Sequence, residues 1–153
     1  MKLIELEKRL EFKAEILKVE DEDYPLINKS GQFEFDWAKE KEHHVFKIVK
    51  KDADEILGLL SVIIYPKEWR VHINLLENSN ENKGKGKKID KIAGCLLAFA
   101  ARLAFQKGYL GFVSLVPKTE LIGLYVKKYG FSVFGNQLAI EKQASIDLIE
   151  KYL

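Results

Sequence analysis

The chain has 153 residues, and its 25 Lys and Arg against 23 Asp and Glu leave a formal charge of +2, which points to no dominant polyanionic partner. A composition that is 47% hydrophobic and 31% charged, with 10 glycines and 3 prolines, excludes disordered, collagen-like and low-complexity chains. The length suits one domain spanning 1–153, and the longest uncharged apolar run, Ile92 to Ala101, is too short to cross a bilayer.

Met1 to Glu7 carries Glu5 and Glu7 and no long apolar stretch, so a soluble cytoplasmic domain without a signal peptide is expected. From Lys8 to Val19, Leu10, Phe12, Ala14 and Ile16 alternate with charged residues, which predicts a first strand. The lack of Gly and Pro and the wealth of Glu and Lys also suit a helix there. Asp21 to Glu42 reads as short helix and loop, with Phe33, Phe35 and Trp37 expected to plug the core. Val45–Val49, Ile56–Tyr65 and Arg70–Glu77 read as strands two, three and four, and Asn78–Lys91 as a polar loop.

Beyond the loop, Ile92 to Phe105 is apolar almost all round, as in a helix buried against a sheet, and Lys107-Gly108 stops it. Phe112–Val116 is a short apolar fifth strand of the buried parallel type, ended by Pro117. Thr119 is the expected N-cap of a helix running to about Tyr129. Phe131–Phe134 and Leu138–Ile140 read as closing strands, and Ala144–Leu153 as a final amphipathic helix whose apolar residues cover the core or meet a second subunit in a homodimer. This order predicts a mixed α/β sheet with parallel crossovers in its second half.

In such a sheet ligands gather at the carboxyl ends of the parallel strands. Here that is the loop after strand four, with Lys83, Lys85, Lys87, Lys88 and Lys91, and the start of the buried helix, whose free amides and dipole suit a phosphate. No aromatics are interleaved with the lysines, which argues against nucleic acid. Adjacent His43 and His44 point to opposite faces of a strand and lack a third ligand, so no metal is predicted. Cys95 reads as a packed, inert thiol that cannot form an internal disulfide.

Strand four, the glycine loop, the buried helix, Lys107-Gly108-Tyr109, strand five and Leu124-Tyr125-Val126-Lys127-Lys128-Tyr129-Gly130-Phe131 together resemble the GNAT family, the acyl-CoA-dependent N-acetyltransferases. That resemblance implies a mixed central sheet flanked by helices and splayed between strands four and five. It also implies acetyl transfer from acetyl-CoA, a cosubstrate, to an amine of unidentified class. Balanced overall charge speaks weakly against a strongly charged acceptor. A GNAT-like module that binds without turnover is the alternative.

The family ending is Leu-Tyr-x-Lys-x-Gly-Phe, one residue shorter than here. Its phosphate loop is Gln/Arg-x-x-Gly-x-Gly/Ala, which fits either at Gly84 and Gly86 or at Ile92-Ala93-Gly94. These leave 22 and 14 residues to Gly108, or about 33 and 21 Å of helix, and the second suits a crossover. Gly94 is then the close-approach glycine. By the resemblance, Leu75 and Leu76 of strand four hold pantetheine. Lys87, Lys88 and the segment Ile92, Ala93, Gly94 and Cys95 hold the phosphates, and Lys118 stands where the family commonly has an asparagine. Tyr125 takes the place of the acid that protonates the thiolate. Glu77 and His72 are the candidate bases, and at most one of them faces the cleft, since an odd separation on a strand places them on opposite faces.

Overall fold

The computed structural model describes residues 1–153. Nine strands form one sheet: β1 (Lys2–Glu5), β2 (Leu10–Lys18), β3 (His44–Lys50), β4 (Ile56–Tyr65), β5 (Arg70–Asn78), β6 (Ile89–Asp90), β7 (Val113–Leu115), β8 (Ser132–Phe134) and β9 (Gln137–Ile140). The helices are α1 (Asp23–Ser30), α2 (Ile92–Gln106), the single turn α3 (Ile122–Leu124) and α4 (Lys142–Tyr152). Strand order is β6-β1-β2-β3-β4-β5-β7-β9-β8. The expected fourth and fifth strands are β5 and β7, because β1 precedes them both and β6 lies between them, neither foreseen. β5 and β7 are parallel, paired from Val71–Val113 to Ile73–Leu115. There β7 ends while β5 runs on to Asn78, which is the expected splay.

The chain divides into two compact units, Met1–Ser61 with Leu75–Leu96, and Val62–Asn74 with Leu97–Leu153. In the first, β1 pairs antiparallel with β2 and with β6, and β2 with β3. Val19, Tyr24, Ile27, Trp37, Val45 and Leu59 form a core, with Phe33 and Leu75 packed against it. Each such side chain contributes roughly 1.5–3 kcal/mol by leaving water. Trp37 is 2% exposed and plugs the core as expected, but Phe35 is 46% exposed and does not. The reason is local: Phe35 lies in an irregular stretch between α1 and the 3-10 turn Trp37–Glu40, where a period-2 or period-3.6 pattern no longer fixes direction. Gly58 of β4 lets α2 settle close, since a Cβ there would lie 2.7 Å from the Ile92 Cγ2 methyl and 3.2 Å from Leu96 Cδ1.

In the second unit β9 pairs antiparallel with both β7 and β8. The α2 residues Leu97, Ala98, Ala100, Ala101 and Ala104 are at most 1% exposed, which accounts for the apolar run. At Gly111 the φ is +72°, and a Cβ would meet Phe105 and Ser145 within 2.8 Å, so only glycine fits. Leu148 and Tyr152 of α4 are buried, while Ile146 is exposed. Thr119 is not an N-cap. The chain enters this segment through a 3-10 turn, Thr119–Leu121, with Leu121 N–H donating to the Lys118 carbonyl (2.9 Å) and no capping bond from a side chain. A 3-10 turn closes its first ring one residue sooner than an α-helix, which moves the boundary to Lys118.

Candidate active site

Glu77 lies beyond the splay on β5 and is 3% exposed. Its Oε2 accepts from Glu34 N–H (2.8 Å) and Lys83 Nζ (2.7 Å), and its Oε1 from Trp37 Nε1 (2.9 Å) and Phe35 N–H (3.3 Å). Burial alone would raise this carboxyl, but the Lys83 ammonium and the Glu34, Trp37 and Phe35 donors outweigh it and hold it below its ordinary value. A carboxylate so engaged is a clamp on the 34–37 segment and a poor proton acceptor. The clamp is reinforced where Asn80 N–H donates to the Gln32 carbonyl (2.7 Å) and Glu81 N–H to Gln32 Oε1 (3.1 Å). Next to Glu77, the buried Asn78 Oδ1 has no hydrogen-bond partner. Leu75 and Leu76 are half-buried on the same strand.

The loop that follows is organised by Asn82, which is buried: its Nδ2 donates to Ser79 Oγ (2.7 Å) and its Oδ1 accepts from Ile89 N–H (2.9 Å). Three of the five lysines are engaged within the protein. Lys83 reaches Glu77, Lys87 meets Asp90 (2.7 Å), and Lys88 lies 3.9 Å from Glu81. Asp90, a like charge at a helix start, is thereby countered by Lys87 and also accepts from Lys91 N–H (2.9 Å). Lys91 has φ +78°, a conformation that costs a non-glycine residue about 1–2 kcal/mol. From it the chain turns into α2, whose opening bond runs from Cys95 N–H to the Lys91 carbonyl (3.0 Å). The amides of Ile92, Ala93 and Gly94 precede that bond and sit at the positive end of the dipole. Cys95 is fully buried, and burial pushes its thiol up to about 11, which makes it inert.

In the second unit, Tyr125 is half-buried against Phe131 (ring centroids 5.6 Å) and Tyr129 (6.0 Å). Burial raises its phenol above the ordinary value, so it remains a proton donor at neutral pH. Its backbone opens a π turn, Tyr125–Tyr129, closed by Gly130 N–H on the Tyr125 carbonyl, with Gly130 left-handed at φ +84°. His72 Nδ1 lies 2.8 Å from Ser114 Oγ and 3.1 Å from the Arg70 guanidinium, which also donates to Ser114 Oγ (2.8 Å). Arg70 can only donate, so Ser114 is free to donate to Nδ1, and we assign the imidazole proton to Nε2. Burial first and Arg70 second push the His72 pKa below its ordinary value. A neutral ring with Nδ1 engaged and Nε2 protonated is a poor base. Glu77 and His72 share no partner. His43 faces Glu42 (3.8 Å), and no group of three or more His, Cys, Asp or Glu side chains is placed to hold a metal. No helix is long and apolar enough to cross a membrane.

Neither the models of known families nor the curated proteins contain a match to this sequence. Solved structures do match. A point mutant of the spermidine N-acetyltransferase of Vibrio cholerae superposes with a TM-score of 0.63 at 16% identity, covering 87% of this chain and 96% of that one. An IAA acetyltransferase from Bacillus cereus gives 0.60 at 17%, over 84% and 99% of the two chains. An acetyltransferase from Bacillus anthracis in complex with acetyl coenzyme A gives 0.57 at 11%, over 84% and 96%. The chain has the GNAT fold.

Within the GNAT pattern, the residue in excess between Tyr125 and Gly130 coincides with the π turn. A π turn holds one more residue than an α turn, so the ending is widened locally and not shifted along the helix. A left-handed backbone occurs at Lys91 (φ +78°), immediately before α2, whose first turn holds Ile92, Ala93 and Gly94. Gly84 is also left-handed (φ +65°), but it lies in the loop with open space around it. Lys118, exposed, occupies the start of the 3-10 turn. The orphaned acceptor of Asn78, the left-handed angle of Lys91 and the bonds to Glu77 were not legible in the sequence, because each is defined by a partner or a backbone angle and not by a motif.

Proposed function

We propose that this protein is an acetyl-CoA-dependent N-acetyltransferase. The observation that carries the reading is the pairing of a GNAT fold with a protonated, half-buried Tyr125 at the family's tyrosine position. Acetyl-CoA would supply the activated acetyl group as cosubstrate. The Ile92, Ala93 and Gly94 amides grip its diphosphate, while Lys87 offsets the charge of Asp90 at the same helix start. The unpartnered Asn78 Oδ1 and the Leu75–Leu76 backbone serve its amide-bearing arm, where an orphaned buried acceptor calls for a donor.

When the acceptor nitrogen attacks the thioester carbonyl carbon, a C–N bond forms and the C–S bond breaks. Tyr125 O–H then protonates the leaving sulfur, and the phenolate regains a proton from water. The ammonium proton leaves to water, because Glu77 and His72 both have their lone pairs engaged. Glu77 accordingly acts as a positioning residue for the 34–37 segment. The test is thiol release from acetyl-CoA over a panel of amines. Release is expected with the intact chain, and Tyr125→Phe should lower kcat roughly 10²-fold while acetyl-CoA affinity stays within twofold. Cofactor binding with no thiol release over the panel would instead mark a binding module.

A further inference from the structure

The reaction above uses one residue of the string Leu124 to Phe131, and the end of that string is folded back onto it. The Tyr125 carbonyl accepts the Gly130 N–H that closes the π turn and also the Phe131 N–H (3.2 Å). The Phe131 ring meets the Tyr125 ring edge to face, with centroids 5.6 Å apart and planes at 75°. We propose that Phe131 and Tyr129 are positioning residues of the transfer, a seat that fixes the direction of the Tyr125 phenol; this assignment rests on the transferase reading above.

The contact with Phe131 is not one that a helix supplies by itself. At about 100° per residue, a side chain six positions on would stand about 240° around the axis from Tyr125 and face away from it. The wide turn and the left-handed Gly130 (φ +84°) bring it back. Tyr129, four positions on, shares the helical face of Tyr125, and their rings lie 6.0 Å apart.

The seat is more deeply buried than the residue it carries. Phe131 is 2% exposed and Tyr129 8%, whereas Tyr125 is half-buried. The Tyr129 ring also lies 6.1 Å from that of Tyr152, itself buried in α4, and all four residues belong to the second unit. Unrestrained, a tyrosine on a helix has more than one χ1 well open to it. Edge-on and tilted neighbours favour one orientation of the ring, because aromatic pairs attract through edge and face and not through area alone. Orientation matters here because the phenol has to reach the sulfur within hydrogen-bond distance, and a misplacement of ~1 Å costs on the order of 10²-fold in rate.

The test is a mutant cycle on the full chain, read by thiol release from acetyl-CoA. Phe131→Leu should lower kcat about tenfold and leave the KM for acetyl-CoA within about twofold. In a Tyr125→Phe background the same change should cost less than about twofold, since the proton it aims is gone. Tyr129→Leu should follow the same pattern, while Tyr129→Phe keeps the ring and should retain kcat within about twofold. Circular dichroism checks folding, and the Tyr129 pair carries the comparison where Phe131→Leu does not fold. A readout without turnover is the proton NMR spectrum, in which the Tyr125 ring signals are identified by their loss in Tyr125→Phe. In Phe131→Leu they should move toward the positions of an unstructured tyrosine. Equal losses of kcat with and without the Tyr125 hydroxyl reduce Phe131 to packing and overturn the proposal, as do ring signals that stay in place. If the signals move but no amine yields thiol release, the seat stands and the transferase reading falls. If Tyr125→Phe lowers kcat while Phe131→Leu and Tyr129→Leu do not, the transferase reading stands and the seat falls.

Discussion

The Glu77 carboxyl lies below its ordinary value, the His72 imidazole below its own and the Tyr125 phenol above, so none of the three titrates between pH 7 and 9. The pH dependence of turnover in that range therefore belongs to the acceptor amine, which reacts only when neutral. We expect kcat/KM to rise about tenfold per pH unit from 7 to 9 for an alkylamine of ordinary basicity. A rate that does not change with pH over this range would contradict this. Residue types were the most legible part of the site and their engagement the least. Tyr125 stands in a recognisable string, but three of the four Glu77 donors come from residues 40 to 43 positions away, and no local pattern records them. The left-handed angle of Lys91 is likewise a property of the chain path, carried by a residue whose identity argues against it.

The docking of α2 on β4 depends on one missing methyl group, at Gly58. Gly58→Ala would drive a Cβ into Ile92 and Leu96, at the very start of α2, and overpacking of this kind costs about 1–3 kcal/mol, partly offset by the lower flexibility of alanine. Thermal unfolding should shift down by roughly 3–6 °C, accompanied by weaker acetyl-CoA binding, since the amides of Ile92 and Ala93 move with the helix. An unchanged melting temperature would show that the α2 start yields without strain. Elements with a strong period of their own were legible: β4 falls on Ile56–Tyr65 as read, and α2 begins at Ile92. β1 and β6 were not, because four residues and two residues carry no period. β6 exists through its pairing of Asp90 with Ile4 and Ile89 with Glu5. The segment from Thr119 to Tyr129 reads as one helix, yet changes from 3-10 to α to π geometry along its length.

At the scale of the molecule, the order of elements was more informative than any single motif. A run of antiparallel strands followed by a parallel crossover through an apolar helix predicts a mixed sheet, the family resemblance adds the splay, and the β5–β7 pairing ends at Ile73–Leu115. That opening exists because β7 is only three residues long and stops ahead of Pro117, while β5 continues past it. Chains with 11–17% identity share this arrangement, so it is set by the alternation of strand and helix and tolerates wide change in side chains. Calorimetric titration with acetyl-CoA, comparing the intact chain with Ala93→Glu, tests the central assignment most directly. A glutamate in the first turn favours the helix dipole and should leave the fold intact, yet it sets a negative charge where the diphosphate would lie. One-to-one binding by the intact chain, weakened at least about tenfold by Ala93→Glu, is the predicted result. No heat of binding at millimolar acetyl-CoA, or equal affinity in the two proteins, would contradict it.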